Sequence, residues 1–351
     1  MTKKYCMSFD INILLRDNIR LLKPYSSARD EFSGEAVAFL DANENPFNSP
    51  WNRYPDPRQV KLKTRVGEIK NVPVSKIFLG NGSDEPIDLL FRAFCEPGND
   101  NVVSIHPTYG MYRVAADTNN VAVNLVPLSA EFELDADAVL NAVTANTKMI
   151  FLCSPNNPSG NALDNRAMLR IIENFNGIVV VDEAYIDFCP EKSFLPLLDQ
   201  YPNLVILQTF SKAWGMAGLR LGMAFASEPI IDVLSRIKYP YNLSILTQQK
   251  GLELLADEQK KLDWVAIILK EREKMIANLN KYPFVVKVYP TDANFVLAKT
   301  HDPRGIYQFL VDEKIIVRDR SSIALCEGCL RISIGSPAEN ATLIEALDEL
   351  I

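Results

Sequence analysis

Between residues 76 and 225, short apolar runs alternate with stretches whose apolar residues recur at helical spacing. The apolar runs include KIFL, NVVSI, TKMIFLC, GIVVVD and NLVILQ, and amphipathic segments such as DEPIDLLFRAF and DNRAMLRIIENF lie between them. This alternation is typical of an α/β fold with a mostly parallel sheet and helices on both faces. GIVVVD and NLVILQ are almost wholly apolar, as strands covered on both faces are, so we place them at the centre of the sheet.

A second pattern begins at residue 244, where apolar residues at three- and four-residue spacing predict one long helix to about residue 280. The strand-like runs VVKVY, NFVLAK, KIIVRD and LRISIG follow, with helices at 303–312 and near the C-terminus. Such an arrangement suits a small α+β unit. We therefore predict a large domain at residues 46–245 and a small domain formed by both chain ends, residues 1–45 and 246–351.

Composition removes several classes of function. The 351 residues include 37 Lys and Arg against 44 Asp and Glu, a net charge of −7, which argues against nucleic acid as a partner. Only His106 and His301 are present, so a multi-histidine metal site is impossible and a histidine-based catalytic triad is disfavoured. We predict no bound metal.

The cysteines and the hydropathy pattern indicate where the protein works. Six cysteines are scattered along a long chain, which predicts reduced thiols, and Cys326 and Cys329 lack the second pair or nearby histidine that a zinc site needs. No run of eighteen apolar residues predicts a membrane span, and the N-terminus is too polar for a secretory signal. We expect a cytoplasmic protein with no membrane partner.

The candidate chemistry follows the apolar runs, because open parallel sheets bind ligands beyond the carboxyl ends of their strands. The turn 80–84, GNGSD, leads into a helix whose free N–H groups can hold a phosphate, and SPNNPSG follows TKMIFLC. Asp182 ends GIVVVD, and Lys212 follows NLVILQ among aromatic residues and glycines that lower an amine's pKa. Taken singly, each has an ordinary interpretation as a turn, a helix cap or a surface charge.

Taken together, these groups fit a cofactor with a phosphate, an aldehyde and a basic ring nitrogen. Pyridoxal 5′-phosphate has all three: Lys212 would form the Schiff base, Asp182 would hold the ring nitrogen protonated, and the turn 80–84 would bind the phosphate. The scarcity of histidine agrees with this hypothesis, because lysine then serves as the general base.

The motifs GNGSDE, SPNNPSG, VVVDEAY, SKAWGMAGLRLG and LRISIG occur in a familiar order and spacing. From about Leu40 to Gly335 the sequence resembles the fold-type I pyridoxal-phosphate aminotransferases of class I/II. It is most similar to the branch whose amino donor is histidinol phosphate, on the segments LLKPYSSARD, LDANENP with RYPDP, HPTYGMY and IIVRDRSS. The resemblance implies a mostly parallel central sheet, a smaller α+β domain and a homodimer.

The resemblance also assigns roles around the cofactor. Lys212, Asp182 and Tyr185 would be catalytic, and the residues implied in cofactor binding besides these three are Gly82, Ser83, Asp84, Tyr109, Asn157, Ser211, Arg220 and Tyr54. Tyr185 and Asn157 would donate to the phenolic oxygen, Tyr109 would stack on the ring, and Tyr54 would reach the phosphate in the partner subunit. A cis peptide bond before Pro158 is implied as well.

Four further residues are implied in substrate binding. Arg331 would take the carboxylate of glutamate or 2-oxoglutarate in one half-reaction and the phosphate of histidinol phosphate in the other, since a planar guanidinium pairs with either group. Arg318 would be a second cation, although it can also be a solvated strand-end charge. Tyr25 would add a hydroxyl to the phosphate, and Asn43 would border the substrate channel.

The hypothesis is a transaminase that exchanges an amino group between L-histidinol phosphate and 2-oxoglutarate. Threonine-phosphate decarboxylation stays open, because a similar sequence pattern serves it, and so does aromatic amino-acid transamination, which needs the same carboxylate-binding arginine. A regulator's sensor domain is disfavoured, because no helix-turn-helix segment precedes the motifs and Lys212 is present.

Overall fold

The computed structural model describes residues 9–23 and 36–351, and a seven-stranded sheet forms its larger part. The strands are β1 Ile77–Asn81, β2 Asn101–His106, β3 Ala122–Pro127, β4 Thr147–Cys153, β5 Ile178–Asp182, β6 Leu204–Thr209 and β7 Leu221–Ala226. Their order is β1-β7-β6-β5-β4-β2-β3; β7 runs antiparallel to both neighbours and all other pairs are parallel. The interior strands β5 and β6 are buried along their whole length, which confirms the prediction for GIVVVD and NLVILQ.

Helices cover both faces of this sheet. They are Val60–Lys70, Asp84–Phe94, Met111–Thr118, Ala136–Asn141, Asn165–Asn174 and Glu228–Ile237, with 3-10 helices at Val74–Lys76, Ile186–Phe188, Pro190–Lys192, Leu195–Leu197 and Ala217–Leu219. Along β5, Val179 and Val181 join the core on one face and Val180 joins the core on the other. Successive side chains of a strand alternate between faces, so two covered faces require an uninterrupted apolar strand.

The described N-terminal segment lies against the larger sheet. Its helices, Ile11–Leu14 and Asp17–Arg20, pack apolar side chains on the core that contains Phe94, and the Arg16 N–H donates to the Ala93 carbonyl at 3.1 Å. The division into two domains stays a prediction. It assigns residues 1–45 to the small domain, whereas the apolar side chains of residues 9–19 pack on the core of the large sheet.

A four-stranded antiparallel sheet follows in the chain. It contains β8 Val285–Val288, β9 Phe295–Thr300, β10 Arg318–Asp319 and β11 Cys329–Ser333, in the order β10-β11-β9-β8. Helices Pro303–Asp312 and Pro337–Asp348 bury Leu310 and Leu343 in the core of this sheet. Within the described residues, no helix is both long enough and apolar enough to cross a membrane.

The long helix predicted for 244–280 is two helices, Ile245–Leu254 and Glu258–Leu279. The break is at Asp257, whose carboxylate accepts from the Lys260 N–H and caps the second helix, a stronger local signal than the continuing apolar spacing. The second helix places Val265 in the core of the large sheet and Met275 in that of the small sheet, so it connects the two.

Candidate active site

A cavity of about 590 Å³ lies where the carboxyl ends of the parallel strands face the β10–β11 ribbon. Every residue predicted to bind the cofactor, apart from Tyr54, lines it; from the large sheet these are Gly82, Ser83, Asp84, Tyr109, Asn157, Asp182, Tyr185, Ser211, Lys212 and Arg220. The small sheet contributes Arg318, Arg320 and Arg331. Among the described residues, no group of three or more His, Cys, Asp and Glu side chains is arranged to hold a metal ion.

Asp182 ends β5 and is 2% exposed. The Tyr112 hydroxyl donates to its Oδ2 at 2.6 Å, and the Ala184 N–H donates to its Oδ1 at 3.1 Å. Burial raises the pKa of the Asp182 carboxyl to about 6, against the lowering effect of these two donors. The carboxylate is therefore held rigidly at the cavity, and a nearby cation would favour its ionised form.

Glu183, the next residue, points away from the cavity into a different network. Its carboxylate accepts from the Phe194 N–H at 2.6 Å and from the Ser193 hydroxyl and Gln208 amide, both at 2.8 Å. Burial raises the pKa of Glu183 to about 7. This residue fixes the chain that follows Asp182 rather than contributing to the cavity lining.

Lys212 follows β6, and its amine lies 5.5 Å from the centroid of the Tyr185 ring. Loss of water around the amine lowers the Lys212 pKa, and the positive charge of Arg331 lowers it further, while Asp182 opposes both effects. The Asn157 amide lies within 3.5 Å of the Tyr185 hydroxyl, whose pKa is raised by burial. The site thus combines an amine of lowered basicity, Lys212, with two neutral hydrogen-bonding groups, the Asn157 amide and the Tyr185 hydroxyl.

The turn between β1 and helix Asp84–Phe94 is shaped by glycines. Gly82 has φ +70°, and a Cβ there would lie 2.6 Å from the Arg220 guanidinium; a Cβ on Gly222 would lie 2.3 Å from the Ser83 nitrogen. The Gly82 N–H donates to the Arg220 carbonyl at 2.7 Å. This close approach of two backbones leaves the start of the helix open, and Ser83 makes no side-chain cap there.

Polar side chains complete that end of the cavity. The Arg220 guanidinium lies 3.5 Å from the Asp84 carboxylate, which also accepts from the Tyr109 hydroxyl at 3.1 Å. The Thr209 hydroxyl donates to the Ser211 hydroxyl at 3.0 Å and also accepts from its N–H. A helix N-terminus, a guanidinium and a hydroxyl together form a site suited to a phosphate.

The side of the cavity formed by the small sheet is cationic. Arg331 on β11 donates to the Asn157 side-chain oxygen and lies 5.2 Å above the Phe295 ring. Arg318 on β10 is directly opposite Arg331 in the antiparallel register. Burial lowers the pKa of Arg331, and Arg318 lowers it further. The predicted pair of arginines is therefore brought together, on a different sheet from Lys212.

Three predicted residues are not in the cavity lining. Tyr54 is 50% exposed and stacks on Tyr241 with a centroid separation of 4.4 Å. Asn43 is exposed, with φ +54°. Tyr25 lies outside the described residues. The positions of Tyr54 and Asn43 within one chain do not form part of the site.

The cis peptide bond implied before Pro158 is wrong; the cis bond of this loop precedes Pro155. The loop beyond it is closed by Asn156, which is fully buried, accepts from the Gly160 N–H at 2.7 Å and donates to the Ser159 hydroxyl at 2.8 Å. The motif contains two prolines, and its spacing alone does not distinguish them.

Among the site residues that were not predicted, Tyr112 and Arg320 bear most directly on the chemistry. Tyr112 lies three residues after Tyr109, within HPTYGMY, and from the first turn of helix Met111–Thr118 its hydroxyl reaches Asp182. Arg320 is two residues beyond Arg318, the spacing that puts two side chains on one face of an extended strand. Both signals are present in the sequence.

The aminotransferase class I and II family model matches residues 36–347. The chain is 55% identical over 345 residues to a histidinol-phosphate aminotransferase of Cytophaga hutchinsonii, with 97% of this chain and 99% of the relative covered. It is 57% identical over 341 residues to that of Parabacteroides distasonis, with the same coverage. A crystal structure of the Sinorhizobium meliloti histidinol-phosphate aminotransferase in complex with pyridoxal-5′-phosphate has a similar fold: TM-score 0.77, 22% identity, 88% of this chain and 90% of that chain covered.

Proposed function

The chain belongs to the aminotransferase class I and II family, and from that premise we propose that it transfers the amino group of L-histidinol phosphate to 2-oxoglutarate. The products are imidazole-acetol phosphate and L-glutamate, and the reaction belongs to histidine biosynthesis. The observation that carries the proposal is a single cavity lined by Lys212 and Asp182 from the large sheet and by Arg318 and Arg331 from the small sheet. Relatives named for this activity, 55% and 57% identical over nearly the whole chain, support it.

The residues around the cavity fit pyridoxal 5′-phosphate. The glycine turn is an observation independent of family, because a Cβ at Gly82 would clash with the Arg220 guanidinium, and a Cβ at Gly222 would clash with the backbone at the start of the helix. The groups that would hold the phosphate are Gly82, Ser83, Ser211 and Arg220. Asp182 would pair with the ring nitrogen, Tyr185 and Asn157 would donate to the phenolic oxygen, and Tyr109 would cover the ring face.

When bound, pyridoxal phosphate supplies an aldehyde that takes up the amino group and a ring that delocalises the electron pair left at the substrate Cα. Lys212 moves the proton: its lowered pKa keeps a larger fraction of the amine neutral, so that it can accept a proton from carbon. Asp182, held by Tyr112 and Ala184, presents an ionised oxygen to a cationic ring nitrogen.

Arg331 and Arg318 orient the substrate by its anionic end. A guanidinium pairs bidentately with a carboxylate or a phosphate, so the same arginines serve both half-reactions. Arg331 is already oriented by Asn157 and by the Phe295 ring, which reduces the entropy lost when the anion binds. The imidazole of the substrate then extends away from the arginines, on the other side of the reacting carbon.

We also propose a homodimer in which Tyr54 completes the site of the partner subunit. In its own chain Tyr54 lies outside the cavity and is half exposed, stacked on Tyr241. Beside it, a second cavity of about 670 Å³ is lined partly by the apolar side chains of Met111, Val114 and Tyr239. Apolar surface of this kind is commonly covered by a second copy.

The direct test is product formation by the purified protein with bound pyridoxal phosphate. Glutamate should form from 2-oxoglutarate only when histidinol phosphate is present, and Lys212→Ala should abolish this, whereas Lys281→Ala, at an exposed lysine outside the cavity, should not. Release of CO2 from threonine phosphate, or equal turnover with aromatic amino acids, would contradict the proposed substrate. Co-folding inactive Lys212→Ala and Tyr54→Ala chains should restore activity, and no recovery in confirmed mixed dimers would contradict the shared site.

A further inference from the structure

Three arginines occupy one face of the β10–β11 ribbon. Arg318 and Arg331 are paired directly across the two strands, and the Arg320 N–H donates to the Cys329 carbonyl at 2.9 Å, which continues the ladder one step. Residues two apart on an extended strand point to the same face, so Arg320 follows Arg318 along that face. All three side chains line the cavity.

The acidic side chains of the described residues do not neutralise these charges. No ion pair involves any of the three arginines within the described residues, and the nearest acid in sequence, Asp319, accepts from the Ser321 N–H at 2.8 Å. The Arg320 Nε is buried with no hydrogen-bond partner among the described residues. A buried donor on a charged group is costly to leave unpaired, so the ribbon is built for an anionic ligand.

Two anionic groups must bind at this end if the proposed function is right, and they differ in charge and shape. A carboxylate is planar and carries one negative charge, so one guanidinium can satisfy both of its oxygens. A phosphate monoester carries about 1.5 to 2 negative charges near neutral pH and has three outer oxygens, which need donors from more than one direction. A third arginine is therefore more than a carboxylate requires.

We propose that Arg320 is a specificity-determining residue, which strengthens binding of the substrate's phosphate much more than binding of a carboxylate at the same position. Arg318 is more exposed than Arg320, whose Nε is buried, and charge interactions weaken as water gains access. Of these two arginines, Arg320 therefore makes the larger charge-dependent contribution to binding of the ligand. This inference rests on the proposed function and names which residue selects its substrate.

The test compares Arg320→Gln with the wild type, both with bound pyridoxal phosphate. The two half-reactions are measured separately, one with histidinol phosphate and one with glutamate, and binding of inorganic phosphate is measured by titration calorimetry. Arg304→Gln is the matched control, because Arg304 is an exposed arginine of the same half of the chain and lies outside the cavity.

In Arg320→Gln, the dissociation constants of histidinol phosphate and of inorganic phosphate should rise about 10- to 100-fold, the range expected for loss of a charged hydrogen-bonding group. The value for glutamate should change less than about threefold, since Arg331 remains to pair with the carboxylate. Arg304→Gln should match the wild type for all three ligands.

An equal loss of affinity for glutamate and histidinol phosphate would overturn the inference, because Arg320 would then have a structural role. No loss of affinity for either would overturn it as well, because Arg320 would then play no part in binding. If the wild type does not turn over histidinol phosphate, the proposed function fails, but the phosphate titration still decides the role of Arg320. If Arg320→Gln does not fold, Arg320→Met keeps the aliphatic stem and permits the same comparison.

Discussion

Tyr112→Phe removes the Tyr112 hydroxyl with little change in the shape of the side chain. The variant therefore measures how strongly this hydroxyl stabilises the ionised form of Asp182. The hydroxyl's 2.6 Å contact with the Asp182 carboxylate lies in the range of charge-assisted hydrogen bonds, and both side chains are buried. A bond of this kind contributes roughly 1.5–3 kcal/mol, and about 1.4 kcal/mol corresponds to one pKa unit. Tyr112→Phe should therefore raise the pKa of Asp182 by about 1 to 2 units from its value of about 6.

The direction follows from which form the hydroxyl favours. It donates to the ionised carboxylate, so its loss favours the neutral carboxyl, which cannot pair with a cationic ring nitrogen. Affinity for pyridoxal phosphate should fall, and the pH below which the protein releases the cofactor should move upward by about 1 to 2 units. The assay is equilibrium titration of cofactor-free protein with pyridoxal phosphate at a series of pH values, followed by visible absorbance.

Tyr282→Phe is the control, because it removes a hydroxyl that donates to Asp348 at 2.8 Å, outside the cavity. Its pH profile should coincide with that of the wild type. Coincident profiles for Tyr112→Phe and the wild type, or equal shifts in both variants, would refute the argument that this hydrogen bond sets the ionisation of Asp182.

Two further predictions concern stability. Burial raises the pKa values of Asp182 and Glu183 to about 6 and about 7, so each carboxyl stabilises the folded state fully below its unfolded pKa, and this stabilisation is lost as pH rises through the folded pKa. In urea unfolding of the cofactor-free protein, the free energy of unfolding should therefore fall between about pH 4 and 7, and it should fall less steeply in Glu183→Gln. Equal slopes in the two proteins would contradict the raised pKa of Glu183. Gly222→Ala would place a Cβ 2.3 Å from the Ser83 nitrogen, so the free energy of unfolding measured by thermal unfolding should fall by about 1–3 kcal/mol, and affinity for the cofactor should fall as well. Gly218→Ala is the control, because no atom lies within 4 Å of its Cβ, and it should have neither effect.

The strands of the large sheet could be predicted from the sequence where their apolar runs are long. The direction of a strand and the identity of its pairing partners were less predictable. β7 is absent from the predicted strands, because its run LGMAFA is rich in small residues and follows directly on the lysine motif. Its antiparallel direction comes from pairing with β1 and β6, which no local pattern contains. Of the predicted strand KIIVRD, only Arg318 and Asp319 pair with a neighbouring strand. The residues before them form the turn by which the chain leaves helix Pro303–Asp312, in which Lys314 has φ +63°.

The site was predictable to the extent that topology determines it. Asp182 and Lys212 follow directly on central strands, so their convergence follows from the rule that parallel strands end at one edge. Arg331 was assigned through resemblance alone, because nothing local shows that the small sheet turns toward the large one. Tyr54 lies outside the cavity of its own chain, and one sequence does not contain the geometry of a second copy.

The anion-binding ribbon and the reacting centre belong to different stretches of the chain. Residues 318–331 carry all three arginines, while Lys212 and Asp182 lie at the ends of strands in another sheet. Substitutions at Arg318 and Arg320 can therefore change which molecules are accepted, whereas a substitution at Arg331, whose charge lowers the pKa of Lys212, would also affect proton transfer. Such a division lets one catalyst evolve toward new metabolites in small steps, and it marks the segment as the place to diversify in a library that seeks altered selectivity.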